Sequence, residues 1–271
     1  MSRTHPLPSI GLGTFRLKGQ DVKDSISSAL QLGYRHIDTA QLYGNEEDVG
    51  AAIHESGIPR EQLFITTKVW HDQLSGNQVI DSLKTSLKKL GLDYVDLALI
   101  HWPSPNDEVP MKHYIAKLNE AREQGLAKHI GISNFTTRQV NEALSAPGGE
   151  NLVTNQIEVH PFLANKKLIQ HCQDKGLQVT GYMPLAVGKV MEEPVLKEIA
   201  GAHGVTAAQI ALAWVAQQDV VVIPSSTKPK HQKANLEALD ITLTEDEIRK
   251  IDALDAGERI ANPDFAPDWD E

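Results

Sequence analysis

Short strand-like runs alternate with amphipathic helical patterns along almost the whole chain. The runs, rich in Val, Ile and Thr, are YRHID (34–38), LFITTKV (63–69), YVDLALIHW (94–102), HIGISNF (129–135), TNQIEVH (154–160), QVTGYMPL (178–185), VVVIPSS (220–226) and, more weakly, LDITL (239–243). Several are nearly continuous in apolar residues, which is typical of parallel strands buried on both faces. About eight strand–helix repeats predict an α/β fold, a (β/α)8 TIM barrel, with an open doubly wound sheet as the alternative.

Several helices between these runs have readable beginnings. A Thr is followed three residues later by Gln or Glu, the pattern of a capping box, at Thr136, Thr206 and Thr244. These positions carry no chemistry of their own, but they fix where three helices begin.

The two ends of the chain differ from the repeats. The opening segment PLPSIGLGTFRL (6–17) predicts a small N-terminal β-hairpin packed on the barrel, with Gly11 and Gly13 at the bend. Since no linker rich in Pro, Gly or Ser divides the chain, we expect a single domain over residues 1–271. The tail after Ala256 is short, and we expect it to leave an open pocket.

Composition narrows the class of protein. The 271 residues are 41% hydrophobic, which allows a large core, and the formal net charge of −10 argues against nucleic acid and anionic membrane surfaces as partners. The only cysteine is Cys172, so an intrachain disulfide and a Cys-rich metal site are excluded. Neither a signal peptide nor an apolar run of transmembrane length is visible. We therefore expect a cytoplasmic protein that binds no metal, no nucleic acid and no membrane.

Polar side chains gather where the predicted strands end. Asp38 ends the first run, Lys68 lies at the end of the second and His101 at the end of the third, while Tyr43 follows Asp38 by five residues. Alone, each has an ordinary structural explanation such as a turn or a surface position. In a barrel, however, these strand ends share the face that carries active sites. Burying these four side chains unpaired would be costly, so we expect them to contact one another.

Such a cluster predicts acid–base chemistry on a carbonyl group. An ammonium at Lys68 is expected to lower the pKa of the Tyr43 phenol, with Asp38 holding the ammonium in place. Tyr43 then becomes a general acid, and His101 can bind the carbonyl oxygen. These groups supply a proton but no electrons, so a reduction needs a hydride donor such as a nicotinamide. Two alternatives remain open: a Schiff-base aldolase acting through Lys68, and a nicotinamide-binding regulatory barrel without catalysis.

A nicotinamide cofactor also needs a site that binds its phosphate groups. The chain lacks a G-x-G-x-x-G that opens a helix after a strand, and it lacks the P-loop, zincin and serine-nucleophile motifs. Barrels can instead bind phosphate on the loops after their last strands, where this chain reads IPSSTKPKHQKANL (223–236). The phosphate ligands predicted there are Ser225, Ser226, Thr227, Lys228, Lys230 and His231. A solvated Lys-rich turn explains this stretch equally well.

Eight segments of the chain resemble, in the same order, the successive motifs of the aldo-keto reductase family. They are GLGTF, GYRHIDTAQLYGNE, ITTKVW, LIHWPSP, IGISNF, NQIEVHP, GYMPL and VIPSSTKPKHQKANL. The resemblance implies a catalytic tetrad of Asp38, Tyr43, Lys68 and His101, with Tyr43 as proton donor. It also implies a monomer that uses NADPH, requires no metal and reduces small aldehydes or ketones such as methylglyoxal or 2,5-diketo-D-gluconate.

The same resemblance implies a set of cofactor contacts. Ser133, Asn134 and Gln156 match the residues that bind the nicotinamide carboxamide, and Tyr182 matches the aromatic residue that stacks on the ring. The cofactor-binding residues implied elsewhere are Pro184, Leu185 and Gly188 for the pyrophosphate and Ser225, Ser226, Thr227, Lys228, His231 and Asn235 for the adenosine phosphate.

One departure from the family pattern concerns the adenosine phosphate. The family has Lys, Arg and Glu where this chain has Ser225, His231 and Ala234, so the bidentate guanidinium clamp is missing. Lys228 and Lys230 can replace it as point charges. We expect NADPH as the cofactor, with NADH as the alternative.

Aromatic residues near the same face are candidates for the substrate pocket. We expect Phe15, Trp70 and Trp102, together with His101, to contact the substrate, and Trp269 in the tail to lie nearby. Core packing is the alternative explanation for each aromatic side chain.

Overall fold

A computed structural model describes residues 6–270. Eight parallel strands form one sheet in chain order: β1 (Leu12–Gly13), β2 (His36–Asp38), β3 (Phe64–Val69), β4 (Val95–Ile100), β5 (Ala127–Ser133), β6 (Leu152–Glu158), β7 (Gln178–Tyr182) and β8 (Val220–Val222). A parallel bridge joins Ile10 to Val222, so the first and last strands meet and the sheet closes. The predicted barrel is thereby confirmed, and the open doubly wound alternative is wrong.

Ten α-helices accompany the strands in the described part of the chain. They are α1 (Gly19–Leu32), α2 (Glu46–Glu55), α3 (Gln78–Leu90), α4 (Met111–Glu123), α5 (Thr137–Ser145), α6 (Lys166–Asp174), α7 (Pro194–His203), α8 (Ala207–Ala216), α9 (Pro229–Glu237) and α10 (Glu245–Asp252). The three predicted capping boxes are confirmed, since Thr136, Thr206 and Thr244 each accept a hydrogen bond from the third helical amide. They begin α5, α8 and α10.

The predicted N-terminal hairpin is wrong, because the opening segment supplies the first barrel strand. Leu12 pairs in parallel with Ile37, and Gly13 pairs with Asp38. The two glycines serve close approach and not a bend. A Cβ at Gly11 would lie 2.7 Å from Nδ1 of His36, and one at Gly13 would lie 2.9 Å from the carbonyl oxygen of Ile223.

The weak eighth candidate strand, residues 239–243, is not a strand. A short 3-10 helix covers Ala238–Asp240, and the backbone of Leu243 bonds to the side chain of Gln217 at 2.9 and 3.0 Å. Because Ile10, just before β1, already pairs with Val222 of β8, the sheet formed by the described residues has no free edge left for this segment. The run 34–38 is therefore the second strand, and the run 220–226 contains the eighth.

Polar residues inside the barrel come in columns along the strands, because residues i and i+2 point to the same side of a sheet. Near the amino ends, Nε2 of His36 lies 3.0 Å from Oγ1 of Thr66. Two residues further along the same strands come Asp38 and Lys68. One end of the barrel thus holds a neutral polar pair, and the other holds a charged pair.

Within residues 6–270, no single helix has the length and apolar character needed to cross a bilayer. Helices α7 and α8 reach the required composition only when taken together, and they are bent by 90° relative to each other. Their apolar side chains, such as Leu196, Ile210 and Leu212, are fully buried inside the protein.

The buried imidazole of His36 predicts a specific loss of stability in acid. Burial lowers the pKa of His36 from 6.5 to about 4, so the unfolded chain takes up this proton first as the pH falls. The free energy of unfolding should therefore drop by about 3 kcal/mol between pH 6.5 and pH 4 on account of this residue. In urea titrations, the stability difference between the unaltered protein and His36→Gln should shrink by that amount over the same range. His54→Gln, on the exposed side of α2, should show no such change, and an equal pH dependence in all three proteins would contradict the assignment.

Candidate active site

The carboxyl ends of the strands bring the predicted polar residues together. Asp38 is the last residue of β2, Lys68 is the next-to-last residue of β3, and His101 directly follows β4. All three are buried. Tyr43 ends a short 3-10 helix, Gln41–Tyr43, in the loop after β2, and it is half-buried. Side chains from three strand ends and from the loop after β2 therefore meet at one end of the barrel.

Lys68 and Asp38 form a buried ion pair at the centre of this group. Nζ of Lys68 lies 2.5 Å from Oδ1 of Asp38, and the two side chains are 1% and 2% exposed. The same nitrogen donates to the carbonyl oxygen of Thr39 at 2.8 Å and to the Tyr43 hydroxyl at 3.3 Å. An ammonium has three hydrogens, and these contacts use all of them. The amine is therefore held as a charged donor, which is the opposite of what a Schiff-base nucleophile needs.

Burial and the nearby charges together set the protonation of Lys68 and Tyr43. Burial alone would lower the pKa of Lys68, but Asp38 and Tyr43 outweigh it and raise that pKa above its ordinary value. For Tyr43 burial is the larger effect and raises the phenol pKa, while the charge of Lys68 opposes it. The expectation that the Tyr43 pKa falls is therefore wrong in its net direction, because desolvation exceeds the attraction of the ammonium. At neutral pH the phenol keeps its proton and is available as a donor.

His101 is the fourth member of the group. Burial, with the charges of Lys68 and His71, holds the pKa of His101 well below its ordinary value. Its ring lies edge-on to Trp70 at 5.1 Å and to Tyr43 at 5.9 Å between centroids. A neutral imidazole has one N–H to donate, so the cluster offers an uncharged donor beside the phenol.

A second group of polar residues, at the ends of β5 and β7, adjoins this cluster. Asn134 has a left-handed backbone with φ of 63°. Its Nδ2 donates to the carbonyl oxygen of His101 at 3.0 Å, and its Oδ1 accepts from the Tyr182 hydroxyl at 2.7 Å. The strained backbone thus directs an amide between the imidazole segment and the aromatic ring.

Gln156 links this second group of polar residues to the ion pair of Lys68 and Asp38. Its Nε2 donates to Oδ2 of Asp38 at 2.8 Å, so both carboxylate oxygens of Asp38 are bonded. Oγ of Ser133 donates to the backbone carbonyl of Gln156 at 2.8 Å. Gln156 uses its amide nitrogen on Asp38, which leaves its amide oxygen to accept a hydrogen bond from a ligand.

A cavity of about 830 Å³ runs along this end of the barrel. The wall contains eighteen of the site residues predicted from sequence: Phe15, Asp38, Tyr43, Trp70, His101, Trp102, Ser133, Asn134, Gln156, Tyr182, Pro184, Leu185, Gly188, Ser225, Ser226, Lys230, His231 and Asn235. Lys68 lies behind Asp38 and Tyr43, which it contacts. The volume falls within the range of small-molecule and cofactor pockets.

Two predicted phosphate ligands lie outside this wall. Thr227 and Lys228 are exposed, and the backbone N–H of Lys228 bonds to Oγ of Ser226 at 3.1 Å as the chain turns into α9. Lys230, one helical position after the starting Pro229, lies in the wall instead. The turn and the helix start therefore decide which lysine reaches the cavity.

The residues present suit a nicotinamide dinucleotide. Amide side chains and the Tyr182 ring line the cavity beside the ion pair, while two serine hydroxyls, Lys230 and His231 line the end near the start of α9. Hydroxyls, cations and a helix N-terminus are the donors that phosphate groups require. Among residues 6–270, no group of three or more His, Cys, Asp or Glu side chains is placed to hold a metal ion.

The tail contributes a residue that the sequence did not reveal. The Phe265 ring meets Trp70 and Trp102 edge-on, at 5.7 and 5.5 Å between centroids, and lies 4.4 Å from the His71 ring. Ala261, Pro263 and Phe265 all line the cavity, whereas Trp269 lies outside the wall and contacts Trp102 at 6.0 Å. The expectation that the short tail leaves this side of the pocket open is therefore wrong. Other wall residues missed are the exposed apolar side chains Leu42, Val187 and Met191.

Known proteins share both this sequence and this architecture. The family model described as "Aldo/keto reductase family" matches residues 9–195 and 192–256. The chain is 49% identical to methylglyoxal reductase DkgB of Escherichia coli O157:H7, over 97% of this chain and 99% of that protein. It is 39% identical to a glyoxal reductase of Bacillus subtilis, over 95% and 93% of the two chains.

Solved structures of similar proteins have the same fold as this chain. A crystal structure of a candidate 2,5-diketo-D-gluconic acid reductase B superposes with a TM-score of 0.93 at 46% identity, covering 98% of this chain and 94% of that one. MGS-M4, an aldo-keto reductase from a deep-sea metagenome library, gives a TM-score of 0.91 at 37% identity, with 97% and 96% of the chains covered. This chain belongs to the aldo/keto reductase family.

Proposed function

We propose that this enzyme reduces small aldehydes and ketones with NADPH and that Tyr43 is the proton donor. The observation that carries the proposal is the position of the Tyr43 hydroxyl, 3.3 Å from an ammonium that is itself bonded to Asp38, in the wall of the cavity that also contains His101. Such an arrangement stabilises the anion that forms when a phenol gives up its proton.

The polar residues at the ends of β5 and β6 are proposed to hold the nicotinamide end of the cofactor. Reduced nicotinamide supplies a hydride when it is bound. Ser133, Asn134 and Gln156 would bind its carboxamide, and the Tyr182 ring would support the nicotinamide face. Because Gln156 also bonds to Asp38, a carboxamide held there would lie beside the ion pair.

The proton is proposed to come from Oη of Tyr43. His101 and Tyr43 border the same part of the cavity, so a substrate carbonyl oxygen between them receives a hydrogen bond from each. As that oxygen gains negative charge, Tyr43 transfers its proton to it. Lys68, held in its charged form by Asp38, then stabilises the remaining tyrosinate.

The substrate class follows from the pocket and from the named relatives. Trp70, Trp102 and Phe265 form a compact aromatic wall next to His101. The wall suits a small carbonyl compound with few atoms beyond the reacting carbon. Similar proteins are named methylglyoxal reductase and glyoxal reductase, so we propose 2-oxoaldehydes such as methylglyoxal first and 2,5-diketo-D-gluconate second.

The preference for NADPH is proposed to depend on point charges. Lys230 and His231 line the cavity beside the start of α9, and Ser225 and Ala234 occupy positions where the family motif has Lys and Glu. An ammonium holds a phosphate less rigidly than a guanidinium fork does. We therefore propose NADPH over NADH, by a smaller margin than an arginine clamp would give.

Replacing the proton donor should abolish most of the turnover. Tyr43→Phe should lower kcat by about a hundredfold to ten-thousandfold, because a general acid acts in the transition state. The Kd of NADPH, measured by fluorescence quenching, should stay unchanged. Steady-state reduction of methylglyoxal checks the first value. Tyr94→Phe, whose ring packs between Arg60 and Lys128 away from the cavity, should keep normal kcat. Near-normal turnover by Tyr43→Phe would refute its role.

Replacing Lys230 and replacing Lys228 should have different effects on the KM values for the two cofactors. Lys230→Ala should raise KM for NADPH roughly threefold to tenfold, equivalent to about 1 kcal/mol, and leave KM for NADH nearly unchanged. Lys228→Ala is the matched control and should affect neither cofactor, since its side chain lies outside the wall. Equal changes for both cofactors in Lys230→Ala would show that the lysine does not bind the 2′-phosphate.

A further inference from the structure

The tail, defined as residues 253–270, contains neither helix nor strand yet follows a fixed path. The amides of Ala256 and Glu258 both donate to the carbonyl oxygen of Phe162, at 3.2 and 2.9 Å. Past this point the tail crosses the carboxyl end of β6 and reaches the cavity. Its path therefore depends on what it contacts there.

The main contact is the buried carboxylate of Glu158, the last residue of β6. This side chain is fully buried. Oε1 accepts from the backbone N–H of Ile260 at 2.8 Å, and Oε2 accepts from that of Ala261 at 2.7 Å. His160 adds a third hydrogen bond, from Nε2 to Oε1 at 2.8 Å. Burial would raise the pKa of Glu158, but these three donors outweigh it and lower the pKa, so the carboxylate is ionised at neutral pH.

The far end of the tail has an anchor of its own. Oδ2 of Asp270 accepts from the backbone N–H of Thr137 at 2.6 Å, and Oδ1 accepts from its hydroxyl at 2.8 Å. The Arg259 guanidinium lies 3.7 Å above the Trp269 ring, which joins the two ends of the segment. The tail is thus a strap fixed at Glu158 and at the start of α5.

Phe265 lies between the two anchors. Its contacts with Trp70 and Trp102 complete the aromatic wall beside His101. Its position is set by a segment without backbone ladder bonds, so the anchors carry the ordering that a strand or helix would otherwise supply. Moving the strap would move this ring out of the wall.

We propose that Glu158 is a positioning residue that sets substrate affinity by holding the tail so that Phe265 closes the pocket. The proposal rests on the proposed carbonyl reductase function. Glu158 lies outside the cavity wall and so acts through the strap. A carboxylate is required because two adjacent backbone N–H groups each need an acceptor, and a glutamine offers an oxygen to one and an NH2 group to the other.

The first test is Glu158→Gln, which keeps the shape of the side chain. KM for methylglyoxal should rise roughly fivefold to twentyfold, because only the fraction of molecules with a docked tail binds substrate well. The value of kcat should stay within about twofold, since the tetrad is untouched, and the Kd of NADPH should not change. Trypsin should cleave after Arg259 faster than in the unaltered protein, as followed by mass spectrometry. Glu198→Gln, an exposed glutamate on α7 paired with Lys250, is the matched control and should change none of these values.

A double-mutant cycle with Phe265→Ala separates positioning from a general structural role. If Glu158 acts through Phe265, Glu158→Gln should raise KM by less than about twofold in the Phe265→Ala background. Fully multiplicative effects, or faster cleavage after Arg259 with an unchanged KM, would overturn the proposal. If Glu158→Gln fails to fold, Asp270→Ala cuts the other anchor and should produce the same KM and proteolysis changes. Absence of carbonyl reduction in the unaltered protein would refute the proposed function, while the proteolysis result would still report on the anchor.

Discussion

The buried ion pair of Lys68 and Asp38 is the interaction on which the rest of the site depends. Two charges at 1% and 2% exposure would be strongly unfavourable without each other. Their geometry offsets that cost only because every remaining donor and acceptor has a partner: Thr39 and Tyr43 on the ammonium, and Gln156 on the carboxylate. The charge of the ammonium also acts on the neighbouring side chains, since it helps to keep His101 neutral and lies next to the Tyr43 phenol in the cavity wall. The role of the pair is therefore to set the electrostatics of the neighbouring side chains and not to stabilise the fold.

Closure of the barrel makes this buried ion pair possible. Strands β2 to β7 bring Asp38, Lys68, His101, Ser133, Gln156 and Tyr182 to the same rim. The closure itself depends on the two glycines of the opening segment, since a Cβ at Gly11 would meet the ring of His36 and one at Gly13 would meet the carbonyl of Ile223. The amino end of the barrel carries His36 as a neutral, buried imidazole, and the carboxyl end carries the charges. The predicted acid sensitivity of folding and the proposed acid–base chemistry thus arise at opposite ends of the same strands.

Sequence was most informative where a strong local pattern had a single outcome. The strand-end positions of Asp38, Lys68 and His101 follow from apolar runs that stop at a charged or polar residue, and the barrel turns that spacing into proximity. The opening segment was expected to be β structure, but its place as the first barrel strand was missed because its two glycines were interpreted as a hairpin bend and not as sites of close approach. The direction of the Tyr43 pKa shift was missed because desolvation depends on how much protein surrounds the ring, which composition does not report. Phe265 was missed because an isolated aromatic residue in a polar tail carries no periodicity, and the other tail aromatic, Trp269, was the residue expected near the pocket.

Strand β6 connects the chemistry to the pocket. Gln156 and Glu158 lie two residues apart on it, so their side chains point the same way, Gln156 to the ion pair and Glu158 to the tail. The pairing register fixes this spacing, with Gln156 opposite Ser133 on one side and Glu158 opposite Tyr182 on the other. A shift of this strand would therefore disturb the carboxylate of Asp38 and the tail anchor together. Because a one-residue slip would turn both side chains away from the interior, the register of this one strand fixes the position of the proposed catalytic groups relative to the aromatic wall.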